Sequence, residues 1–588
     1  MKTLINKNFT VIVGLLILCL AAFLRLYQLT SVPPSPYWEE VALGYDAYSI
    51  SQTGFDHHGN FLPLVAVESF GDWKPSGYFY ALVPIIKLFG LNLWSVRLPS
   101  TISGILITLG VGVLLTEFLK TSRVNATVKK WLPIMGMWVA AVSPWAIQFS
   151  RAGWEVNLAT CLILWGIINC LAAISNSNKF RLFQFLWGSI LLILSMYTYH
   201  AARIVAPLLG LGLITLWISN FKNESPTIWL KLKSWFSAYW KALLISSLCA
   251  LFLLWPLIIS LGKKETSQRF SETSIFSNLD IIQESNFRKE RAGNTVLARF
   301  FYHRYILFGR EVIINYIKHF DLGFLFLHGD RNPRHSIQYM GQLYHIEFVF
   351  LLLGIYWIFK NWRKEHGLLL FWLGIGILPA AITNASPHAL RILPTLPVWI
   401  ILISLGLLAL GELLSEFLTS FIKLNKSLFW LLYVLVVVVI YLGEFTMFWR
   451  FYSHVYPARY DQEWQFGYQN MISEFEKQRL QNSSYNNQYI TREYGRPVMY
   501  YFFYTQANPA IVQSVEPNMP QDQGELLEYQ QLKFINNINT GVNVPALVAA
   551  SPDQLNSFKA AFPQYQVNIL KEIDNLKKEP IWIIFTVE

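Results

Sequence analysis

Pro33-Pro34-Ser35-Pro36-Tyr37-Trp38-Glu39-Glu40 follows directly on an unbroken apolar run, Phe9 to Leu29. The run holds roughly 20 residues, enough for a helix to cross a hydrocarbon core of about 30 Å. The prolines stop that helix, since a proline donates no backbone hydrogen bond and bars helical geometry to the residue before it. Two adjacent carboxylates then sit where the chain leaves the membrane. A charge at such a boundary needs a reason. One reason is a new helix whose first turn favours acids. The other is a general base, able to take a proton from an attacking hydroxyl.

The rest of the chain repeats the apolar pattern. It is 588 residues long, 54% hydrophobic and only 14% charged, against about 25% charged in a soluble domain. Many of its 22 Trp and 29 Tyr lie near the ends of apolar runs, as interfacial belts require. The formal net charge of +11 comes largely from Lys and Arg in short loops between those runs. Such placement reports topology and anionic headgroups, not nucleic acid, which would need a basic stripe on a polar domain. Cys19, Cys161, Cys170 and Cys249 all lie in apolar runs, so no disulfide framework or zinc spacing is expected. Lys2 to Lys7 and the run after them read as a retained signal anchor, because no small-x-small cleavage site precedes Pro33.

Orientation follows from the loops. With Lys2 and Lys7 inside, about eleven spans are expected: 9–29, 96–119, 131–149, 156–174, 182–197, 204–219, 241–261, 345–360, 367–383, 392–417 and 427–449. Span 392–417 could instead be a broken pair. Lys120, Arg123, Lys129 and Lys130, then Lys231 and Lys233, then Lys360, Arg363 and Lys364 fall inside, as the positive-inside rule asks. Long outer loops cover 30–95 and 262–344. Within the first, Gly77 to Gly90 is apolar but too short to span, so a helix lying on the outer surface is expected. The tail, 450–588, reads as a small extracytoplasmic α/β domain. Strands are expected at Gln488–Thr491, Ala546–Ala550 and Ile581–Val587, and helices at Asp461–Gln478 and Pro552–Ala561, the latter capped by Ser551. The Asn/Gln-rich stretch Gln481–Asn487 reads as a loop. The fold class is thus an α-helical polytopic membrane domain, 1–449, followed by the α/β domain.

Further polar groups mark the outer loops. Gly54-Phe55-Asp56-His57-His58-Gly59-Asn60 is a polar turn, and Gly71-Asp72-Trp73-Lys74-Pro75 leads into the surface helix. Lys74 is a point charge suited to a phosphate, or a snorkelling lysine at the interface. Arg97 opens the second span. Residues 24 to 119 resemble the first outer loop and flanking spans of the GT-C glycosyltransferases, in particular bacterial relatives of the protein O-mannosyltransferases and of the lipid A aminoarabinose transferase. Those families carry an acidic pair after the first span, a Lys-Pro before a surface helix, and an Arg at the start of the second span. The likeness continues more weakly to about residue 450 and does not extend into the tail.

The resemblance implies an inverting transferase that moves a mannose-like hexose or an aminopentose from a polyprenyl-phosphate donor to a hydroxyl of a protein, lipid or glycan. The implied setting is a multi-pass protein of the plasma membrane, with its site facing outward. Glu39, or Glu40, would be the base, and Glu155, at the mouth of the fourth span, would orient the acceptor or the base. Lys74, His200, Arg203, His388 and Arg391 would hold the donor phosphate. Asp330, Arg331, Arg334 and His335, a polar knot in the second long loop, would bind the acceptor or cover the site. Glu39 stands where these families usually have Asp. The extra methylene moves the carboxylate by about 1.5 Å, and a misplacement of about 1 Å can cost roughly a hundredfold in rate. An impaired transferase is therefore one alternative, and a transporter of lipid-linked glycans another. Against transport, the polar groups collect at one face and the two halves are unlike each other. No cofactor motif and no cytoplasmic Gly-rich or Asp-x-Asp nucleotide-sugar site is present. The need for a divalent cation is left open.

Overall fold

A computed structural model of the chain describes residues 2–69, 71–120, 124–174, 180–221, 227–263, 268, 271–421, 425–481, 485–540 and 542–588. Part of the expected loop Gln481–Asn487 and several of the basic loop residues, Arg123 among them, lie outside the described residues. The chain forms two compact units. The first is built from residues 1–27, 101–150 and 155–449, the second from 28–100, 151–154 and 450–588.

The first unit is helical. Helices occupy all eleven places expected of spans, but fewer are long and apolar enough to cross a membrane. Seven meet that requirement among the described residues, and an eighth if one bent pair counts as a single span. Leu182–Thr198, Glu347–Lys360 and Lys364–Ala381 do not meet it. The broken span is not 392–417, whose helix runs unbroken from Leu396 to Phe421. It is the pair Ala126–Val142 and Pro144–Ser150, bent by 58°.

Proline chemistry accounts for that bend. Pro144 has no N–H to give the carbonyl of Ala140, so an interior polar group is orphaned. The buried Arg25 takes its place: its Nη2 donates to Ala140 O at 3.1 Å and its Nη1 to Ala141 O at 3.1 Å. Its Nε reaches Ser150 Oγ at 3.3 Å. Gly104 lies so near that a Cβ there would meet Ser150 Oγ at 2.0 Å.

The second unit carries the sheet. Six strands lie in the order Glu528–Tyr529, Leu532–Ile535, Asn487–Thr491, Ala546–Ala550, Pro580–Val587, Val567–Asp574. Asn487–Thr491 runs parallel to both its neighbours, and the other pairs are antiparallel. Ala546–Ala550 is buried throughout, which fits an interior strand covered on both faces. The helix Pro552–Ala561 is capped as its sequence asks, with Ser551 Oγ accepting from Gln554 N at 3.2 Å. The helix expected at Asp461–Gln478 begins later, at Tyr468. Gln465 and Gly467 take φ of 53° and 102°, left-handed values that a continuous helix does not tolerate.

Candidate active site

The acid pair opens the helix Trp38–Thr53. Tyr37 is extended at its N-cap, and the helix ends at Gly54, whose φ of 80° supplies the left-handed cap. Adjacent residues on a helix diverge by about 100°, and the two carboxylates meet different surroundings accordingly.

Glu40 is fully buried. Arg97, in the first turn of the helix Leu93–Lys120, donates to it twice, Nε to Oε1 at 2.9 Å and Nη2 to Oε2 at 3.1 Å. Gly153 N gives Oε1 a third bond at 2.7 Å. Arg97 also donates to the carbonyls of Leu29, Pro33 and Ser35 at 2.7 to 2.9 Å, which fixes the proline-rich approach. Its guanidinium stands 5.9 Å from the Trp464 ring centroid. Arg151, likewise buried, donates to Val32 O and Gln28 O at 3.1 Å each. The fork geometry of arginine suits this work, since one side chain can satisfy several fixed acceptors.

Glu39 differs. Its side chain keeps 27% of its exposure, and its Oε2 lies 3.8 Å from Lys74 Nζ. Tyr37 Oη donates to the same oxygen at 2.9 Å. Lys74 is placed by a hairpin, Ala66–Ser69 with Asp72–Pro75, in which it faces Val67. Gly71 takes a φ of 73° in the turn, a conformation glycine adopts without a steric cost. Lys74 is only 6% exposed, and its Nζ has no hydrogen-bond partner among the described residues. A buried ammonium with three donors and one carboxylate at 3.8 Å is under-coordinated.

The tail supplies groups that sequence reading missed. Gln465 Oε1 accepts from Trp38 N at 2.8 Å and from Tyr500 Oη at 2.6 Å. Tyr500 Oη also reaches Pro36 O at 2.9 Å. Arg496 feels the charges of Glu39 and Asp72, although burial dominates and lowers its pKa. Nothing local in the tail's sequence announces these roles, because they depend on partners more than 400 residues away.

The remaining candidates belong to the first unit. Glu155 is the first residue of the helix Glu155–Ile174. His200 lies in the turn before Ala202–Asn220, and the Nε of Arg203 donates to Met196 O at 3.2 Å. The second loop and the 383–391 segment come together. Asp330 Oδ2 accepts from Ala389 N at 2.7 Å and lies 3.3 Å from His335 Nδ1 and 3.8 Å from His388 Nδ1. Burial is the largest influence on Asp330 and would raise it, but the hydrogen bond to His335, the charges of His335 and His388 and the backbone bond from Asn332 together outweigh burial and hold it at about 2. His319 completes the group: its Nδ1 bonds Asn315 O at 2.8 Å, so Nε2 is left to accept from His388 N at 3.2 Å. Burial pushes His319 down to about 4, which keeps it in that neutral form. Arg391 Nη1 bonds Thr383 Oγ1. Arg334 offers its carbonyl to Gln148 Nε2 at 3.1 Å, and Arg331 is exposed.

No protein-family model matches the chain, and no curated protein does. Solved structures do match it. The structure of ArnT from Cupriavidus metallidurans in the apo state is 12% identical, with 99% of this chain and 98% of that one covered, at a TM-score of 0.52. ArnT bound to undecaprenyl phosphate is also 12% identical over 98% and 97% of the two chains, at 0.49. The oligosaccharyltransferase AglB from Archaeoglobus fulgidus, in complex with an inhibitory peptide and a dolichol-phosphate, is 13% identical over 83% and 63%, at 0.43. The likeness is one of fold, and it rests on the first of these.

Proposed function

We propose that the chain is an inverting glycosyltransferase that takes a sugar from a polyprenyl-phosphate carrier and delivers it to a hydroxyl at the outer face of the plasma membrane. The observation that carries this reading is the Glu39–Lys74 pair: a partly exposed carboxylate beside a buried ammonium that lacks hydrogen-bond partners among the described residues. The fold likeness to ArnT supports it.

In this reaction the acceptor oxygen attacks the anomeric carbon from the side opposite the phosphate. Its proton passes to Glu39 as the C–O bond forms. The bond from the anomeric carbon to the phosphate oxygen breaks, and the lipid leaves as a phosphate monoester. Lys74 meets the growing negative charge with a charge-assisted hydrogen bond. Glu40 and Arg97 hold the helix start that aims Glu39. His200, Arg203, His388 and Arg391 are carried in the same reading as further ligands of the lipid phosphate, and Glu155, Asp330, Arg331, Arg334 and His335 as acceptor-side groups. The sugar is a mannose-like hexose or an aminopentose.

The test uses the purified full-length protein with synthetic polyprenyl-phosphate mannose or aminoarabinose. Release of free polyprenyl phosphate, dependent on an acceptor and lost in Glu39→Gln, is the expected result. Equal turnover by Glu39→Gln and wild type would overturn the reading.

A further inference from the structure

A second cluster of polar side chains lies in the second unit, and the transfer reaction does not use it. The turn after the helix Trp38–Thr53 carries His57 and His58, with ring centroids 3.8 Å apart. His57 Nδ1 bonds Asp46 Oδ1, and His57 N reaches the same oxygen at 3.2 Å. His58 Nδ1 bonds Glu516 Oε1, from the tail. One ligand atom each from His57, His58 and Glu516 falls within 4.8 Å of the others.

The site is buried and incompletely satisfied. Asp46, His57 and Glu516 are 0%, 5% and 4% exposed. Asp46 Oδ2, His58 Nε2 and Glu516 Oε2 are all buried without a hydrogen-bond partner among the described residues. Orphaned polar atoms of this kind are each destabilising, and those of His58 and Glu516 call for a shared partner. Two imidazoles and a carboxylate form the donor set that suits Zn²⁺ and neighbouring divalent metals. With His57 Nδ1 given to Asp46, its Nε2 is the nitrogen left to coordinate, and a carboxylate behind a ligating histidine is the usual means of orienting it.

We propose that His57, His58 and Glu516 bind one zinc-like divalent cation, oriented by Asp46 and with a coordination position open to water. The ion fastens the turn that closes the acid-pair helix to the tail. A second fastening runs beside it: Gln513 Nε2 donates to Ser49 Oγ at 3.0 Å, Thr53 Oγ1 at 3.0 Å and Asp56 O at 2.9 Å. Gln513 belongs to the short helix Pro509–Val515, which ends directly before Glu516.

The experiment uses the full-length protein in detergent, stripped with EDTA, dialysed and titrated with zinc chloride. Bound zinc per chain is read by elemental mass spectrometry, and thermal stability in parallel. One zinc per chain and a raised Tm are expected for wild type. His58→Ala, and Glu516→Gln, which preserves volume, weaken zinc binding at least about tenfold, and Asp46→Asn does so by about ten- to a hundredfold. A double variant at His335 and His388 controls for the other histidine cluster and retains the zinc. Two outcomes overturn the proposal: wild type binding no more zinc than Glu516→Gln, or zinc lost only in the His335/His388 variant.

Discussion

Glu40 and Arg97 form a two-pronged ion pair, at 2.9 and 3.1 Å, in which both side chains are completely withdrawn from solvent. Removing one partner of such a pair leaves the other charged, buried and uncompensated, at about 3–5 kcal/mol. Arg97→Ala and Glu40→Gln should therefore lower the thermal stability of the full-length protein in detergent, with activity lost in proportion to folded protein. Glu39→Gln should leave stability within about 0.5 kcal/mol of wild type, as for most changes away from such features. Equal melting temperatures for Arg97→Ala and wild type would contradict the structural role given to the pair.

For Glu39 the expected effect is chemical. An amide keeps the shape but accepts no proton at neutral pH, so Glu39→Gln should lose about 10²–10⁴-fold in turnover while still binding donor. Glu39→Asp restores the residue that the resembling families usually carry and should retain activity. A Glu39→Gln enzyme that turns over normally while a folded Glu40→Gln enzyme is dead would move the base to Glu40.

Lys74 should act on donor binding. Lys74→Ala is expected to raise the KM for the polyprenyl-phosphate sugar by about tenfold or more, the scale of one charge-assisted contact of 1.5–3 kcal/mol. Lys74→Arg, which keeps the charge but enlarges the head, should fall between. Steady-state kinetics at limiting donor separates the three. An unchanged KM in Lys74→Ala places the phosphate elsewhere.

Glu525, in the tail, should give the protein a distinctive pH response. Burial raises its pKa from an ordinary 4.5 to about 7, despite the Arg492 guanidinium 3.2 Å away. A carboxyl with a raised folded pKa stabilises the fold fully below its unfolded value and loses that contribution as pH climbs through the folded one. Between pH 4.5 and 7 wild type should thus lose stability relative to Glu525→Gln, by about 3 kcal/mol at most. Melting curves of both proteins across this window, compared as a difference, check the sign. A difference that does not change with pH refutes it.

Topology can be read by labelling. In a cysteine-free background, a cysteine at Asn125 should be shielded from an impermeant thiol reagent in sealed cells, and one at Asn568 should react. Asn125 precedes the helix Ala126–Val142, and Asn568 is an exposed strand residue of the tail. Reaction of both would refute the orientation drawn from the basic loops.

Most helices were legible because apolar length and basic flanks are properties of a single segment. Ser551 and the helix after it were legible for the same reason: a cap acts within one turn. The late start of the helix at Tyr468 was less visible, since of the two left-handed residues before it only Gly467 is a glycine and Gln465 carries no such mark. At the acid pair, sequence gave the two carboxylates but could not divide their tasks. That division comes from Arg97 and Gly153, which lie 57 and 113 residues away from Glu40. Gln465, Tyr500 and Glu516 were invisible as site neighbours because their partners stand still further along the chain.

The second unit is assembled from residues 28–100, the four residues 151–154 and residues 450–588. Trp464 beneath Arg97, Gln465 on Trp38 and Tyr500 on Pro36 all come from that last portion. During synthesis, then, Glu39 leaves the ribosome early with Tyr37 and Lys74, and the tail's share of the surroundings follows only after the whole membrane domain has been made. A chain released prematurely carries Glu39 with Tyr37 and Lys74 but without the groups that the tail sets around the start of its helix. The second unit is therefore complete only when translation is: an unfinished copy in the membrane lacks Trp464, Gln465 and Tyr500.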